Sequence, residues 1–247
     1  MNFSQEFRNY TLKHLGLSSN TVDSVIQHQI DASLTPYILE ERQLNVTQID
    51  VFSRLMKDRI LFLNGVVDDR MSSVVTAQLL FLSSIDKNDI TLYIDSPGGS
   101  VKSGLSIVDV MNYIPSGIAT VNVGMAASMG SVLLSSGTKG KRSSLIHSKV
   151  MTHQVSHGTQ GNIQDTRINQ KEAEKYNYIL FKMLAKNCGK TFDEVLEFSR
   201  RDRWYNSDEA LKFGLIDEII GLESDKSNSM ESLLVGFEDY LKREDKH

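Results

Sequence analysis

The residues best suited to chemistry lie in a stretch of small and apolar side chains over residues 118–136. Residues 118–123 form a short β-branched run that predicts a buried strand, and residues 131–134 predict the start of a buried helix. Ser128 lies between them, within the sequence GMAASMG. Several hydrolases expose a nucleophilic hydroxyl on a crowded turn of this kind, between strand and helix. The same pattern also suits a tight packing turn with an incidental serine.

A serine hydroxyl becomes a strong nucleophile only when a base takes its proton. His153 follows the apolar run at residues 150–152, where a strand end would hold its ring in place. His147 falls in a polar turn and His157 in a glycine-containing loop, so both would be poorly positioned. The other histidines lie in the N-terminal extension or at the C-terminus: His14, His28 and His247. His153 is therefore the best candidate base, although a lone histidine at a strand end is more often structural.

The base would need a third group to orient it, and the residues alone leave four carboxylates open. These candidates are Asp165, Asp193, Asp202 and Asp208. Asp202 lies in the run RRDRWY, where three cations would surround it and aromatic side chains could shield it. The same run also suits a surface cluster of ion pairs, which would contribute little to stability.

Acyl transfer also needs hydrogen-bond donors aimed at the developing oxyanion. Gly98 and Gly99 follow a predicted strand and precede a predicted helix, so their amides could be free to face a substrate. The amide of Met129, directly after the serine, is the second natural donor. The glycine pair could equally be no more than a tight turn.

The elements that would position these residues alternate between strand and helix. Strands predicted at residues 60–65 and 90–94 are each followed by a helical pattern, at residues 71–82 and 101–114. The strand at residues 118–123 is followed in turn by the serine helix. This alternation predicts an α/β fold with βαβ units.

The C-terminal half carries shorter elements and one long helix. We expect the long helix at residues 164–187, and it is half polar. A short helix at residues 207–213 would have Ser207 as its N-cap and would end at Gly214. The other predicted elements are strands at 144–146, 150–153 and 215–220, a loop at 157–162, a helix at 192–198 and an amphipathic piece at 230–241.

The composition is that of an ordinary globular protein of 247 residues with a net charge of −4. This charge gives no electrostatic case for binding nucleic acid or an anionic membrane. Cys188 is the single cysteine, which excludes an internal disulfide and fits a reducing compartment. No apolar run is long enough to span a bilayer, and no secretory signal opens the chain. We therefore expect a cytoplasmic protein.

Four motifs, in order, resemble the ClpP family of self-compartmentalised, ATP-dependent serine proteases. They are YIDSPGGSV at 93–101, GMAASMG at 124–130, VMTHQ at 150–154, and RDRW with EALKFGLID over 201–217. The separations between Ser128, His153 and Asp202 also suit the family without insertion. The resemblance runs from about residue 34 to residue 220.

The resemblance implies a serine endopeptidase that degrades unfolded polypeptides through an acyl-enzyme. Ser128 would be the nucleophile, His153 the general base and then acid, and Asp202 the group that orients the histidine. The amides of Gly99 and Met129 would form the oxyanion hole. No metal or cofactor is implied.

The implied fold is the α/β, crotonase-like ClpP fold of repeated ββα units with a protruding handle helix at about residues 160–187. This handle would pair two heptameric rings into a homo-oligomer of fourteen subunits. The partner would be an unfoldase of the AAA+ class, of the ClpX, ClpA or ClpC type. Residues 34–221 would form the peptidase domain, between an extension or propeptide at 1–33 and a charged tail at 222–247.

The chain also departs from the family pattern at identifiable positions. Val155 replaces the usual proline after His-Gln, and Arg200 replaces an acidic residue that pairs across the ring interface. Asp95 replaces the usual asparagine, Thr91 replaces an aromatic of the docking cleft, and the Gly-Glu-Arg of the axial loop is missing at 45–47. We expect these changes to alter contacts between rings and with the unfoldase.

Two other functions remain open from the sequence. One is a catalytically silent ring subunit with a structural role, although such subunits typically lack a member of the triad. The other is an acyl-CoA hydratase or isomerase, which shares the glycine amides but normally uses acidic residues for catalysis.

Overall fold

The computed structural model describes residues 37–42, 45–156, 158, 161–221, 229–237 and 241. The chain divides into two compact units, Met1–Asp58 and Arg59–His247. The predicted extension at residues 1–33 lies outside the described residues. In the first unit, β1 (Tyr37–Arg42) and β2 (Asn45–Asp50) form an antiparallel pair, and α1 (Val51–Lys57) follows directly.

The second unit contains one sheet of seven strands together with the remaining described helices. The strands are β3 (Ile60–Asn64), β4 (Ile90–Ser96), β5 (Ile118–Ala127), β6 (Arg142–Leu145), β7 (Lys149–Thr152), β8 (Arg203–Tyr205) and β9 (Glu218–Ile220). The helices are α2 (Asp69–Ile85), α3 (Val101–Tyr113), α4 (Met129–Ser135), α5 (Ile163–Cys188), α6 (Phe192–Phe198), α7 (Ser207–Phe213) and α8 (Met230–Leu233).

The sheet is parallel along the order β3-β4-β5-β6-β9. The long central strand β5 turns at Gly124, whose φ of +91° suits glycine. Before this residue β5 pairs with β6, and after it β5 pairs in parallel with β7. Strand β8 then adds to β7 in the antiparallel direction. Because β4, β5 and β7 are parallel, their carboxyl ends lie side by side at one edge of the sheet.

The core forms because aliphatic side chains recur at the spacing of each element. In β4, Ile90, Leu92 and Ile94 alternate with partly exposed residues and are fully buried. In α2, Val75, Leu79 and Leu82 recur every three to four residues and face the same core. Each such side chain contributes roughly 1.5–3 kcal/mol when it is buried.

The predicted α/β alternation is confirmed, and α6 and α7 have the predicted bounds. The N-cap of α7 was predicted wrongly, because Asn206 takes this position in place of Ser207. Asn206 accepts a hydrogen bond from the Glu209 amide at 2.9 Å, and the Glu209 carboxylate accepts one from the Asn206 amide at 2.8 Å. The Ser207 hydroxyl donates instead to the carbonyl of Ile146 at 2.8 Å.

Other differences concern short elements. The last strand is shorter than predicted, since Leu215 and Ile216 are buried in the turn before β9. Strand β8 was not predicted, because a three-residue strand carries too little periodicity to detect. The predicted loop at residues 157–162 and the amphipathic piece at 230–241 lie partly outside the described residues. Among the helices described, none has the length and apolar character needed to cross a membrane.

Candidate active site

Four neighbouring strands bring the predicted site residues to one edge of the sheet. Across the order β4-β5-β7-β8, the strand ends carry in turn the Gly98–Gly99 pair, Ser128, His153 and Asp202. Residues that are far apart in the sequence are thus adjacent in space, because the parallel strands β4, β5 and β7 end together and the antiparallel strand β8 begins beside the end of β7. The carboxyl edge of a parallel sheet is a common place for a ligand site.

Ser128 sits on the turn from β5 to α4 in a strained backbone conformation, with φ +53° and ψ −120°. Such a conformation costs a non-glycine residue of the order of 1–3 kcal/mol, so the surroundings must impose it. The Ser128 amide donates to the carbonyl of Met151 in β7 at 2.9 Å. Its carbonyl accepts from the hydroxyl of Ser131 at 2.7 Å. The hydroxyl of Ser128 does not cap α4 and lies instead within hydrogen-bonding distance of His153.

His153 directly follows β7 and reaches Ser128 through its ring. The Nε2 atom of His153 lies 2.8 Å from Oγ of Ser128, a good hydrogen-bond distance. The side chain is 21% exposed, so the ring is largely enclosed but accessible from the cavity. Sequence reasoning chose this histidine for its position at a strand end, and that is where the structure has it.

Asp202 lies on the other side of the same imidazole. Its Oδ1 atom is 3.2 Å from Nδ1 of His153. The β7–β8 ladder ends with Thr152 opposite Arg203, and continuing the register by one residue brings His153 opposite Asp202. The pairing of two short strands therefore sets this contact.

The surroundings of Asp202 differ from those predicted. Its side chain is 66% exposed, so the expected aromatic shielding is wrong. Arg203 turns away and lies over the ring of Phe198, with 4.7 Å between the guanidinium carbon and the ring centroid. Arg200 pairs with Glu197 at 3.4 Å, an exposed ion pair of small energetic value.

The remaining candidates lie elsewhere. Asp165 is bonded to its helix cap Asn162, and Asp208 accepts from the amide of Glu231. Asp193 and His147 are exposed, and His157 lies outside the described residues. Burial of Cys188 at the end of α5 raises the pKa of its thiol to about 11, so this cysteine is poorly suited to nucleophilic chemistry.

The Gly98–Gly99 pair is held beside the serine turn by backbone bonds. Val67 donates to the carbonyl of Gly98 at 2.8 Å and accepts from the amide of Ser100 at 2.7 Å. These bonds leave the amide of Gly99 without an acceptor among the described residues. The Met129 amide, at the first position of α4, is likewise unused within the described ranges. Both predicted donors are thus available.

Sequence reasoning missed Ser96, which supports the glycine pair. This serine is fully buried, and its hydroxyl donates to the carbonyl of Gly65 at 2.6 Å. The same hydroxyl accepts from the amide of Gly98 at 3.1 Å. Its place before Pro-Gly-Gly was the only available signal, because serine before a turn often bonds to the backbone ahead of it.

A cavity of about 250 Å³ opens beside Ser128 and His153. Its apolar wall comes from two helices and includes Val132 of α4 with Leu180, Phe181 and Leu184 of α5. The helix predicted as a handle thus lines the site, which sequence reasoning did not foresee. No group of three or more metal-binding side chains occurs in the ranges that the structure describes.

A buried ion pair fixes the helices behind this cavity. Arg142 is 1% exposed and bonds to Asp217 through Nη2 at 2.6 Å and Nε at 2.8 Å. Its Nη1 atom also donates to the carbonyls of Ser135, at the end of α4, and Asn187, near the end of α5. Burial alone would raise the pKa of Asp217, but hydrogen bonds from Arg142 and Lys139 outweigh it and hold this pKa well below its usual value.

The arrangement combines an alcohol on a strained turn, an imidazole within hydrogen-bonding distance, a carboxylate behind the imidazole and two free amides. This set of groups suits attack on an acyl carbon, with the charge of the tetrahedral intermediate received by the amides.

Comparison with known proteins identifies the family of the chain. A family model described as Clp protease matches residues 42–223, well over half of the chain. A Bacteroides fragilis protein named ATP-dependent Clp protease proteolytic subunit is 51% identical over 216 residues, covering 87% of this chain and 98% of the relative. Proteins of the same name from Bacteroides thetaiotaomicron and Porphyromonas gingivalis are 50% and 47% identical over 216 residues, covering 87% of this chain and 98% and 97% of those relatives. The chain belongs to the Clp protease family.

Proposed function

We propose that this chain is a serine endopeptidase that cleaves unfolded polypeptides through a Ser128–His153–Asp202 triad. The observation that carries the proposal is the distance of 2.8 Å between Ser128 Oγ and His153 Nε2, on a serine held in a strained backbone conformation. Family membership supports the same reaction class.

In this mechanism His153 takes the proton of Ser128 as the hydroxyl attacks the peptide carbonyl. Asp202 keeps Nδ1 protonated, so that Nε2 is free to accept. The amides of Gly99 and Met129 receive the oxyanion. The tetrahedral intermediate breaks down as His153 protonates the leaving amine, and an acyl-enzyme remains on Ser128. Water, deprotonated by the same histidine, then releases the second product.

We extend the proposal to partners and assembly. The relatives' name includes "ATP-dependent", which supports an ATP-driven partner for this chain as well. That partner would be a AAA+ unfoldase of the ClpX, ClpA or ClpC type, and two heptameric rings would enclose the active sites. Residues 34–221 would supply the peptidase domain, and α5 the contact between rings.

The presence of all three side chains, with His153 within hydrogen-bonding distance of both Ser128 and Asp202, favours an active peptidase over a silent ring subunit. A CoA-ester enzyme is disfavoured for a related reason. The catalytic groups here are an alcohol and an imidazole, whereas hydratases and isomerases of this fold normally rely on acidic residues.

The test is Ser128→Ala in the purified full-length chain. Hydrolysis of a short fluorogenic peptide, which needs no unfolding, should fall by at least about 10⁴-fold because the attacking atom is gone. Oligomer size, measured by sedimentation, should not change. A fluorophosphonate probe should label the unsubstituted chain once per subunit, and peptide mapping should locate the label at Ser128.

Ser156→Ala is the matched control, because Ser156 also lines the cavity but is an exposed residue of the loop after His153. This variant should keep full labelling and turnover. Undiminished turnover of Ser128→Ala, or a label on another serine, would end the proposal.

A further inference from the structure

We infer that the buried hydroxyls of Thr152 and Ser199 are positioning groups for the reaction, since they hold Asp202 against His153. The inference rests on the proposed function and adds to it a hydroxyl pair outside the triad. It starts from a weakness in the site, which is that the contact between Asp202 and His153 lies beyond the end of a very short ladder.

Only three residue pairs connect β7 and β8, ending at Thr152 opposite Arg203. His153 and Asp202 are the next residues on either strand and have no ladder bonds to fix them. Asp202 is 66% exposed, and its contact with the ring is 3.2 Å long. Exposed ion pairs contribute little by themselves, so this contact needs other interactions to keep the two segments together.

The hydroxyl pair supplies such an interaction directly behind the contact between Asp202 and His153. Ser199 and Thr152 are each 2% exposed, and the Ser199 hydroxyl donates to the Thr152 hydroxyl at 3.3 Å. Thr152 precedes His153 by one residue, and Ser199 precedes Asp202 by three. The loop from Ser199 to Asp202 is therefore attached at both of its ends. Ser199 bonds to Thr152 on one face of the strand pair, and Asp202 contacts His153 on the other.

The geometry makes these hydroxyls positioning groups and not catalytic ones. Side chains alternate along a strand, so Thr152 and Arg203 face the opposite side of the pair from His153 and Asp202. On that side Arg203 lies over the ring of Phe198, which ends the helix just before Ser199. A hydroxyl there is not directed at the reacting atoms, but its loss frees the segment that carries Asp202.

Ser199 is also tied to its own helix. Its amide donates to the carbonyl of Val195 at 2.9 Å, and Val195 is 1% exposed. The hydroxyl pair therefore anchors the Asp202 loop to a helix end that is itself packed in the core. Removing either hydroxyl leaves its buried partner without a hydrogen bond. Because a buried polar group without a partner is costly, the loop should shift so that this group can find another one.

The experiment uses the full-length chain with Thr152→Val, which keeps the shape of the side chain and removes its hydroxyl. The value of kcat per fluorophosphonate-titrated site should fall about tenfold because nucleophile activation suffers. Thr152 also lines the substrate cavity, but valine keeps the shape of the side chain there, so KM should change much less than kcat. Thr152→Ser, which restores a hydroxyl, should return most of the rate. Trp204, the sole tryptophan, lies in β8 and should change its emission in Thr152→Val but not in Thr152→Ser.

Thr120→Val is the matched control. Thr120 is also fully buried in the sheet, and its hydroxyl donates to the carbonyl of Leu134 at 2.8 Å. This variant should lose a comparable amount of thermal stability but keep kcat and Trp204 emission. If it lowers kcat as much as Thr152→Val does, the effect is general destabilisation and the inference is wrong.

Ser199→Ala is the second variant, and it decides the matter if Thr152→Val does not assemble. Its kcat should also fall about tenfold, and the double variant should be no worse than either single one, because the two hydroxyls act as a pair. A kcat within twofold of the unsubstituted chain in either single variant would overturn the inference. An unsubstituted chain that neither labels nor hydrolyses peptide would instead overturn the proposed function.

Discussion

The two ends of the proposed triad are built in different ways. The serine turn, residues 127–130, is enclosed by core residues and lies between β5 and a buried helix. The aspartate segment, residues 199–203, ends in a three-residue strand and carries a carboxylate that is 66% exposed. Close packing holds the serine turn in its strained conformation, whereas only a few cross-strand contacts hold the aspartate segment.

This difference teaches where each kind of change should act. A close-packed turn responds to added volume, because no neighbour can move without disturbing the strand or the helix. An exposed segment tolerates added volume but depends on individual polar contacts. The serine turn should therefore be the more sensitive to small steric changes, and the aspartate segment to changes in hydrogen bonding.

The largest effect should come from Gly98→Ala, which adds a methyl group against the serine turn. The new carbon would lie 2.6 Å from Cβ of Ser128 and 2.7 Å from the carbonyl oxygen of Ala127, and φ is +92°. These atoms belong to a crowded turn and would have to shift, which displaces both Ser128 and the neighbouring amide of Met129. Peptide hydrolysis per folded subunit should fall by at least about a thousandfold.

Gly140→Ala separates the steric effect from the conformational one. Gly140 has a similar φ of +84°, but an added Cβ there would meet nothing within 4 Å. We expect a loss of about 1 kcal/mol in the free energy of unfolding and no change in kcat. Equal activity of the two variants would show that the serine turn is not as closely packed as described.

The same contrast explains what the sequence could and could not predict. Ser128 and the Gly98–Gly99 pair were predictable because a crowded turn needs small residues at adjacent positions, and such a run is visible in the sequence. Asp202 was not separable from Asp165, Asp193 and Asp208 by residue type alone. Its role depends on the register of β7 with β8, which is long-range information, and only the family resemblance selected it.

Long-range contacts also account for the other omissions. Ser96 acts through Gly65, and Arg142 bonds to Asp217 and to the ends of two helices. Apart from Ser135, which is seven residues from Arg142, these partners are distant in sequence, so no local pattern marks them. The N-cap of α7 was predicted wrongly for a different reason. Two good capping residues, Asn206 and Ser207, are adjacent, and the bond from Ser207 to the Ile146 carbonyl leaves Asn206 as the cap.

A smaller effect is expected from Asp202→Asn, which removes the charge beside His153 while keeping the shape of the side chain. A buried triad carboxylate contributes about 10⁴ in kcat, but an exposed one works in a high dielectric. We therefore expect a loss of roughly a hundredfold in kcat per titrated site. KM should stay unchanged, because the cavity wall is formed by other residues.

Asp193→Asn is the matched control, since Asp193 is an exposed carboxylate on the preceding helix with no contact to the site. It should keep full activity. A loss of 10⁴-fold in Asp202→Asn would show that this carboxylate is shielded in the working enzyme. No loss would show that something else orients the histidine.

The smallest effect should come from Tyr205→Phe, at the base of the aspartate segment. Tyr205 is 3% exposed, and its buried hydroxyl makes no hydrogen bond of normal geometry in the described ranges, although Thr152 and Arg203 lie close enough to interact with it weakly. Burial of this phenol also raises its pKa. A buried hydroxyl without a partner costs about 1 kcal/mol or more, so its removal should stabilise the fold by about 1 kcal/mol in chemical denaturation. The ring itself packs against Phe213, with centroids 5.2 Å apart, and phenylalanine keeps that contact.

Because the ring keeps β8 in place, kcat should not change in Tyr205→Phe. This outcome would distinguish the unpaired phenol from the Thr152–Ser199 pair, whose hydroxyls lie in the same buried region but bond to each other. Tyr113→Phe is the control, because Tyr113 is 81% exposed and should change neither stability nor activity. A loss of stability or of kcat in Tyr205→Phe would mean that the phenol also bonds within this region, so that the aspartate segment is held by more hydroxyls than the two assigned to it.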